Sequence, residues 1–258
     1  MPDLSRTGRR DFLHVLASEG RQLAGLRSDL GAEGFGAGAD VDRLLDGLDR
    51  AMETAVGLGA PLLCLDLGRL PTGPKPTPAP RPTIAPGRAG LILLPESFLP
   101  APSAPPPQDE PGAGQFIARV DSALAELGRR ADRYGCTVAL RSDLARLSAL
   151  ERAIRSVNCP NFGIDLDPVA LLIDPWQPDE CFSRLGSLIR HVRGRDATLG
   201  DGGRTMAAVV GQGSVPWTAI MADLDGANYS GWITLDPFDL AERPQAAHNG
   251  ARRLRAGA

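Results

Sequence analysis

The chain has 258 residues, 43% of them hydrophobic and 23% charged, which is the composition of a globular protein large enough for one α/β barrel or two small domains. Its net charge of −3 gives no electrostatic footprint for nucleic acid or an anionic membrane. No apolar run is long enough to span a bilayer and residues 1–10 are too polar for a signal peptide, so a cytoplasmic location is expected.

In chain order, Phe12, Val15 and Leu16 lie on one face of a helix predicted over 7–18, and a strand over 23–27 follows, running into Arg27, Ser28 and Asp29. Asp40 is placed to cap a long helix whose apolar stripe is Val41, Leu44, Leu45, Leu48, Met52, Ala55 and Leu58. Residues 61–67 form a nearly continuous apolar run that suits a strand buried on both faces, with Asp66 near its end. Fourteen prolines between Pro71 and Pro111 then exclude regular helix or central strand. Residues 71–114 read as an insertion, broken by an apolar island at 89–94 that suits a strand or packs on the body.

The alternation resumes with a helix over 116–134 and a strand over 136–140 that ends in Arg141, Ser142, Asp143 and Leu144. The next helix starts near Ser148, with Ser148 and Glu151 spaced as a capping box, and a strand over 161–166 ends in Asp167. A helix after Asp179 leads to a strand over 188–196. There Arg190, Val192 and Gly194 alternate with His191, Arg193 and Arg195. A polar loop over 198–204, a short strand at Val209 and Val210, a helix capped by Ser214, a last strand over 232–235 ending in Asp236 and a helix over 244–255 complete the chain.

This pattern predicts an α/β fold with a parallel sheet, a (β/α)8-type TIM barrel that is incomplete, with six or seven strands. It is expected to be a single domain over residues 1–258, interrupted by the insertion at 71–114. The only lysine is Lys75, inside that insertion, which excludes a Schiff base on a rigid element. Cys64, Cys136, Cys159 and Cys181 make no Cys-x-x-Cys pair and read as buried apolar residues, not as a zinc site or disulfide framework. In a parallel sheet, ligands gather at the carboxyl ends of the strands. Here those ends carry Arg27, Asp29, Asp66, Asp143, Asp165 and Asp196 besides Arg141, Asp167, His191, Arg193, Arg195 and Asp236. The last six are the candidate binding residues, and such a ring suits a small polyhydroxylated or anionic molecule, with no nucleic acid and no membrane as partner.

Five stretches, in this order and spacing, resemble the sugar phosphate isomerase/epimerase family, the xylose-isomerase-like (β/α)8 barrels. They are Cys136-Thr-Val-Ala-Leu-Arg141, Phe162-Gly-Ile-Asp-Leu-Asp-Pro168, Leu185-Gly-x-x-Ile-Arg-His-Val192 through Asp196, Gly211-Gln-Gly-Ser-Val-Pro-Trp217 and Asn228-Tyr-Ser-Gly-Trp-Ile-Thr-Leu-Asp236. The resemblance implies a sugar isomerase or epimerase and a divalent metal, manganese or magnesium, held by Glu, Asp, His and Glu from four strand ends. Carried onto this chain, those positions are Arg141, Asp167, Arg193 and Asp236, and His191 is the first member of the family's His-x-His pair. Arginine has no lone pair to give a metal. Of the metal set only Asp167 and Asp236 remain, so the site reads as degenerate. No cofactor is expected unless the family site survives in altered form, and Arg141 and Arg193 are expected to converge on Asp167 and Asp236 instead. Three functions follow: an isomerase or epimerase with altered or lost metal dependence, a degenerate barrel that binds a carbohydrate or small anion without turning it over, or a partner scaffold. The family's opening strand–helix–strand unit has no counterpart here. The resemblance therefore implies an N-terminally shortened barrel with two open strand edges, covered by a second copy in a homodimer or by residues 89–94.

Overall fold

Two-residue alternation decides which way each strand faces. In the computed structural model, strand β1 is Leu26–Asp29, helix α1 (Arg6–Ser18) precedes it and helix α2 (Val41–Gly57) follows. On β2 (Leu62–Asp66), Leu63 and Leu65 are fully buried in the core beneath α2, while Cys64 and Asp66 turn the other way. Helix α3 (Ala113–Tyr134) leads into β3 (Thr137–Arg141), which buries Val138 and Leu140 and turns Ala139 and Arg141 inward. Helix α4 (Leu147–Val157) leads into β4 (Phe162–Leu166), which buries Phe162, Ile164 and Leu166. Two short helices, α5 (Ala170–Ile173) and α6 (Pro178–Leu185), come before β5 (Ile189–Gly194). The structure describes residues 5–68, 70, 113–141, 147–157, 159–173, 178–200 and 204–256. Residues 71–112, with the island at 89–94, and the strand end at Ser142, Asp143 and Leu144 lie outside the described residues.

After β5 come a hairpin, β6 (Asp196–Leu199) and β7 (Thr205–Ala208), then α7 (Trp217–Gly226), β8 (Trp232–Leu235) and α8 (Arg243–Ala256). Among the described residues the main sheet has six strands in the order β1-β2-β3-β4-β5-β8, and every pairing in it is parallel. It is a curled half-barrel, an incomplete TIM barrel, with β1 and β8 at its ends. Helices α2 and α3 pack on each other, as do α3 and α4, and α6 and α7, closing the apolar core on the convex side. None of the described helices is long and apolar enough to cross a membrane.

One irregularity in the sheet bears on the site. The β4–β5 register shifts between Ile164 and Asp165, so that Asp165 stands opposite His191. Gly163 makes this shift possible, because a Cβ there would stand 2.3 Å from both Arg190 Cγ and the Leu188 carbonyl.

Several local expectations are corrected. Strand β1 starts at Leu26, not at residue 23. The Ser148/Glu151 capping box does not form: α4 begins at Leu147, and Glu151 instead accepts from Arg184 at 2.5 Å and Arg155 at 3.1 Å. A charge-assisted partner from the next helix outcompetes a local backbone amide. Ser214 does not cap α7, whose cap position is Pro216; its Oγ accepts from the Leu199 amide at 3.3 Å. Val209 and Val210 are not a strand, and Thr198 and Leu199, read as the start of a polar loop, instead belong to β6, which pairs antiparallel with β7. By contrast, Asp40 caps α2 as expected, accepting from the Arg43 amide at 3.1 Å.

Candidate functional site

The inward residues at the strand ends meet as a network of opposite charges. Arg141 on β3 bonds Asp66 on β2 and reaches Asp167, just past β4, at 3.6 Å. Arg193 on β5 lies 3.9 Å from Asp167 and bonds Asp236, just past β8. Arg195 joins Asp167 and Asp239, each at 2.7 Å. Across the open seam of the half-barrel, Arg27 on β1 reaches Asp236 at 3.4 Å and Asp66 at 4.0 Å. Among the described residues, four arginines (Arg27, Arg141, Arg193, Arg195) thus face four aspartates (Asp66, Asp167, Asp236, Asp239). The side chains of Arg141, Arg193 and Asp167 are 7%, 6% and 5% exposed, so these are buried pairs and not solvated surface ones.

The expected convergence of Arg141 and Arg193 on Asp167 and Asp236 is therefore present. Asp66 as the direct partner of Arg141, and Asp239 as a partner of Arg195, were not foreseen. Partial burial alone would raise the Asp236 carboxyl, but the adjacent Arg193 guanidinium, the Phe238 N–H at 3.3 Å and Arg195 together hold it below the usual carboxylate range. Its pairing with Arg193 is complete at neutral pH and is lost only in acid, as the pH falls through that depressed pKa.

His191 lies deeper. Its Nδ1 is 2.6 Å from Asp165 Oδ1 and its Nε2 is 2.9 Å from Thr234 Oγ1, which fixes the ring at both nitrogens. The Cys64 thiol is close to this pair; burial, reinforced by the Asp165 charge, pushes it up to about 12. A cleft of about 230 Å³ opens at the seam between β1 and β8 and is lined by Arg27, Cys64, Asp165, His191, Arg193, Thr234 and Asp236. Arg193 Nη1 is buried and has no hydrogen-bond partner among the described residues. A donor in that state is costly unless a ligand or water supplies the acceptor.

Asp196 does not belong to this ring, although it follows the same strand. It is buried and accepts from the amides of Ala197 at 2.8 Å, Gly211 at 2.8 Å, Gly213 at 3.1 Å and Val215 at 3.1 Å. It pins the 211–215 loop, where a Cβ on Gly213 would meet Asp196 Oδ1 at 2.2 Å.

The four positions that the resemblance assigns to a divalent metal do not fit one. Two are guanidinium groups already bonded to Asp66 and Asp236, and Asp167 is engaged by Arg195. Like charge at a few ångströms repels a cation there.

The family described as xylose isomerase-like TIM barrel matches residues 1–257. Among solved structures, a xylose isomerase domain protein from Planctomyces limnophilus is 16% identical with a TM-score of 0.68, covering 98% of this chain and 83% of that one. D-psicose 3-epimerase with D-tagatose from Clostridium cellulolyticum H10 is 14% identical with a TM-score of 0.65, covering 98% and 84%. A 3-keto-D-glucoside 4-epimerase from E. coli is 18% identical with a TM-score of 0.63, covering 97% and 85%. At these identities the likeness is one of fold. No curated protein matches the sequence.

Proposed function

The chain belongs to the xylose isomerase-like TIM barrel family, and from that premise we propose that it takes a small anionic carbohydrate, such as a sugar phosphate or sugar acid, into the seam cleft and isomerises or epimerises it. The observation that carries this is the lining of the seam cleft, which sets the Arg27 and Arg193 guanidinium groups beside Asp165, His191, Thr234 and Asp236. A phosphate or carboxylate accepts from the guanidinium groups on that wall, and Asp236 and Thr234 serve for hydroxyl contacts. The structural neighbours that are sugar epimerases support the substrate class. His191 and Asp165 stand together on the same cleft wall, 2.6 Å apart.

A second reading, binding without turnover, is favoured by the arginines at two positions where the resemblance expects metal ligands. One experiment separates the two. The protein is incubated with a panel of sugar phosphates and sugar acids in heavy water, followed by calorimetry and proton NMR. Binding with deuterium entering next to the carbonyl supports the isomerase or epimerase; binding without exchange supports the second reading; neither rejects both. Arg193→Lys keeps the charge beside Asp236 but removes the fork, and should weaken binding roughly tenfold or more.

The macromolecular partner we propose is a second copy of this chain. The sheet ends at β1 and β8, and Leu13, Leu16, Leu23, Leu62 and Trp232 line an apolar groove of about 680 Å³ beside those two strands. Sedimentation equilibrium should read a dimer that Leu16→Glu reduces to monomer. A monomeric unmodified chain rejects this partner.

A further inference from the structure

One layer below the arginines, the interior is polar where a (β/α) barrel ordinarily packs branched apolar side chains. Cys64 stands two residues before Asp66 on β2, Asp165 two before Asp167, His191 two before Arg193 on β5, and Thr234 two before Asp236. Period-two alternation therefore turns all four to the concave side. Cys64, Asp165 and His191 are 8%, 3% and 5% exposed. Their Sγ, carboxylate oxygen and ring nitrogen all lie within 4.8 Å of one another. Zinc held at ~2.3 Å by sulfur and ~2.0–2.2 Å by nitrogen and oxygen places its ligand atoms roughly 3–4 Å apart, so the shell forms by a small adjustment in which the Nδ1–Oδ1 pair, at 2.6 Å, opens to admit the ion.

We propose that this layer is a zinc site, with Cys64, Asp165 and His191 as its three protein ligands and the fourth position open to the seam cleft. The same cleft is lined by all three residues, which gives the ion its entry path. Thiolate with imidazole selects zinc over magnesium or manganese. The charges also agree. Zinc's two positive charges are matched by one thiolate and one carboxylate, so the zinc-bound layer is neutral beneath the arginines. That distinguishes this layer from the Arg141/Arg193 level, where a cation meets guanidinium. On binding, the ion displaces the Cys64 thiol proton to solvent and takes the place of the proton now shared by Asp165 and His191 Nδ1. The ring proton moves to Nε2, where Thr234 Oγ1, already at 2.9 Å, accepts it and fixes the tautomer. The reading of the four cysteines as inert apolar residues is thereby revised for Cys64 alone.

The test uses the full chain, stripped with chelator, and needs no sugar. Calorimetry with zinc should show one equivalent bound. Cobalt in its place should give a sulfur-to-cobalt charge-transfer band in the near ultraviolet and the strong visible bands of a tetrahedral ion. Cys64→Ser should abolish the charge-transfer band. Thr234→Val, a near-isosteric change that leaves all three ligands, should weaken zinc roughly tenfold. Absence of zinc binding, a charge-transfer band that persists in Cys64→Ser, or zinc affinity unchanged in Thr234→Val would each overturn the assignment. Because the readout is the metal alone, its failure leaves the carbohydrate reading untouched, and the reverse holds.

Discussion

Replacing Arg141 with methionine should destabilise the fold by about 3 kcal/mol, the lower end of the cost of stranding a buried charge. Arg141 stands between Asp66 and Asp167, whose side chains are only 10% and 5% exposed. Methionine fills much of the same volume, so the loss reports charge more than packing. The cost stays at the lower end because neither carboxylate is left without partners. Asp66 keeps the Gly68 amide at 3.2 Å and Arg27 at 4.0 Å, and Asp167 keeps Arg195 at 2.7 Å. Urea unfolding measures the effect. Adding Asp66→Asn to Arg141→Met should recover part of the loss, and the double-mutant cycle gives the coupling between the two. A loss under ~1 kcal/mol would mean that water reaches these groups far more freely than their burial indicates.

The charged mouth of this half-barrel was legible in the sequence because it depends on two local rules. Strand side chains alternate, and parallel strands present their carboxyl ends together. Arg141, Asp167, Arg193 and Asp236 follow from those rules and from the order of the motifs, and their convergence follows from charge, although the direct partner of Arg141 is Asp66. What was not legible depends on contacts between distant parts of the chain. Cys64 and His191 are brought together only by the curl of the sheet and by the register shift at Asp165, and a lone cysteine in an apolar run carries no mark of that neighbour. Asp196 has the same local pattern as the residues of the charged ring, yet it turns to four backbone amides. The signal that could have found it lies elsewhere: Gly211, Gly213 and the residues after them make a loop whose amides need an acceptor. Glu151 sits at capping-box spacing, but only the packed α6 supplies the Arg184 that claims it.

Arg141→Glu combined with Arg193→His should give a chain that binds manganese, whereas the unmodified chain should bind none at that level. The argument is electrostatic before it is geometric. In the native chain the two guanidinium groups pair with Asp66, Asp167 and Asp236, and a divalent ion entering among them meets positive charge. The double substitution removes both charges and provides a carboxylate and an imidazole. Together with Asp167 and Asp236 they make an oxygen and nitrogen set suited to manganese. Without metal, the variant gathers acidic groups with too little to offset them, so it should be less stable than the native chain. Manganese should restore stability by mass action, by about 2.7 kcal/mol when its free concentration is a hundred times the dissociation constant. Calorimetry and thermal unfolding with and without manganese read both effects. Carrying Cys64→Ser in every arm keeps the deeper thiol layer from contributing. Tight manganese binding by the chain with Arg141 and Arg193 intact would show that the arginines can move aside, and would return the protein to ordinary metal-dependent chemistry at this position. If the double variant folds and manganese neither binds nor stabilises it, the strand ends lack the geometry of a metal site even when the charges are put right.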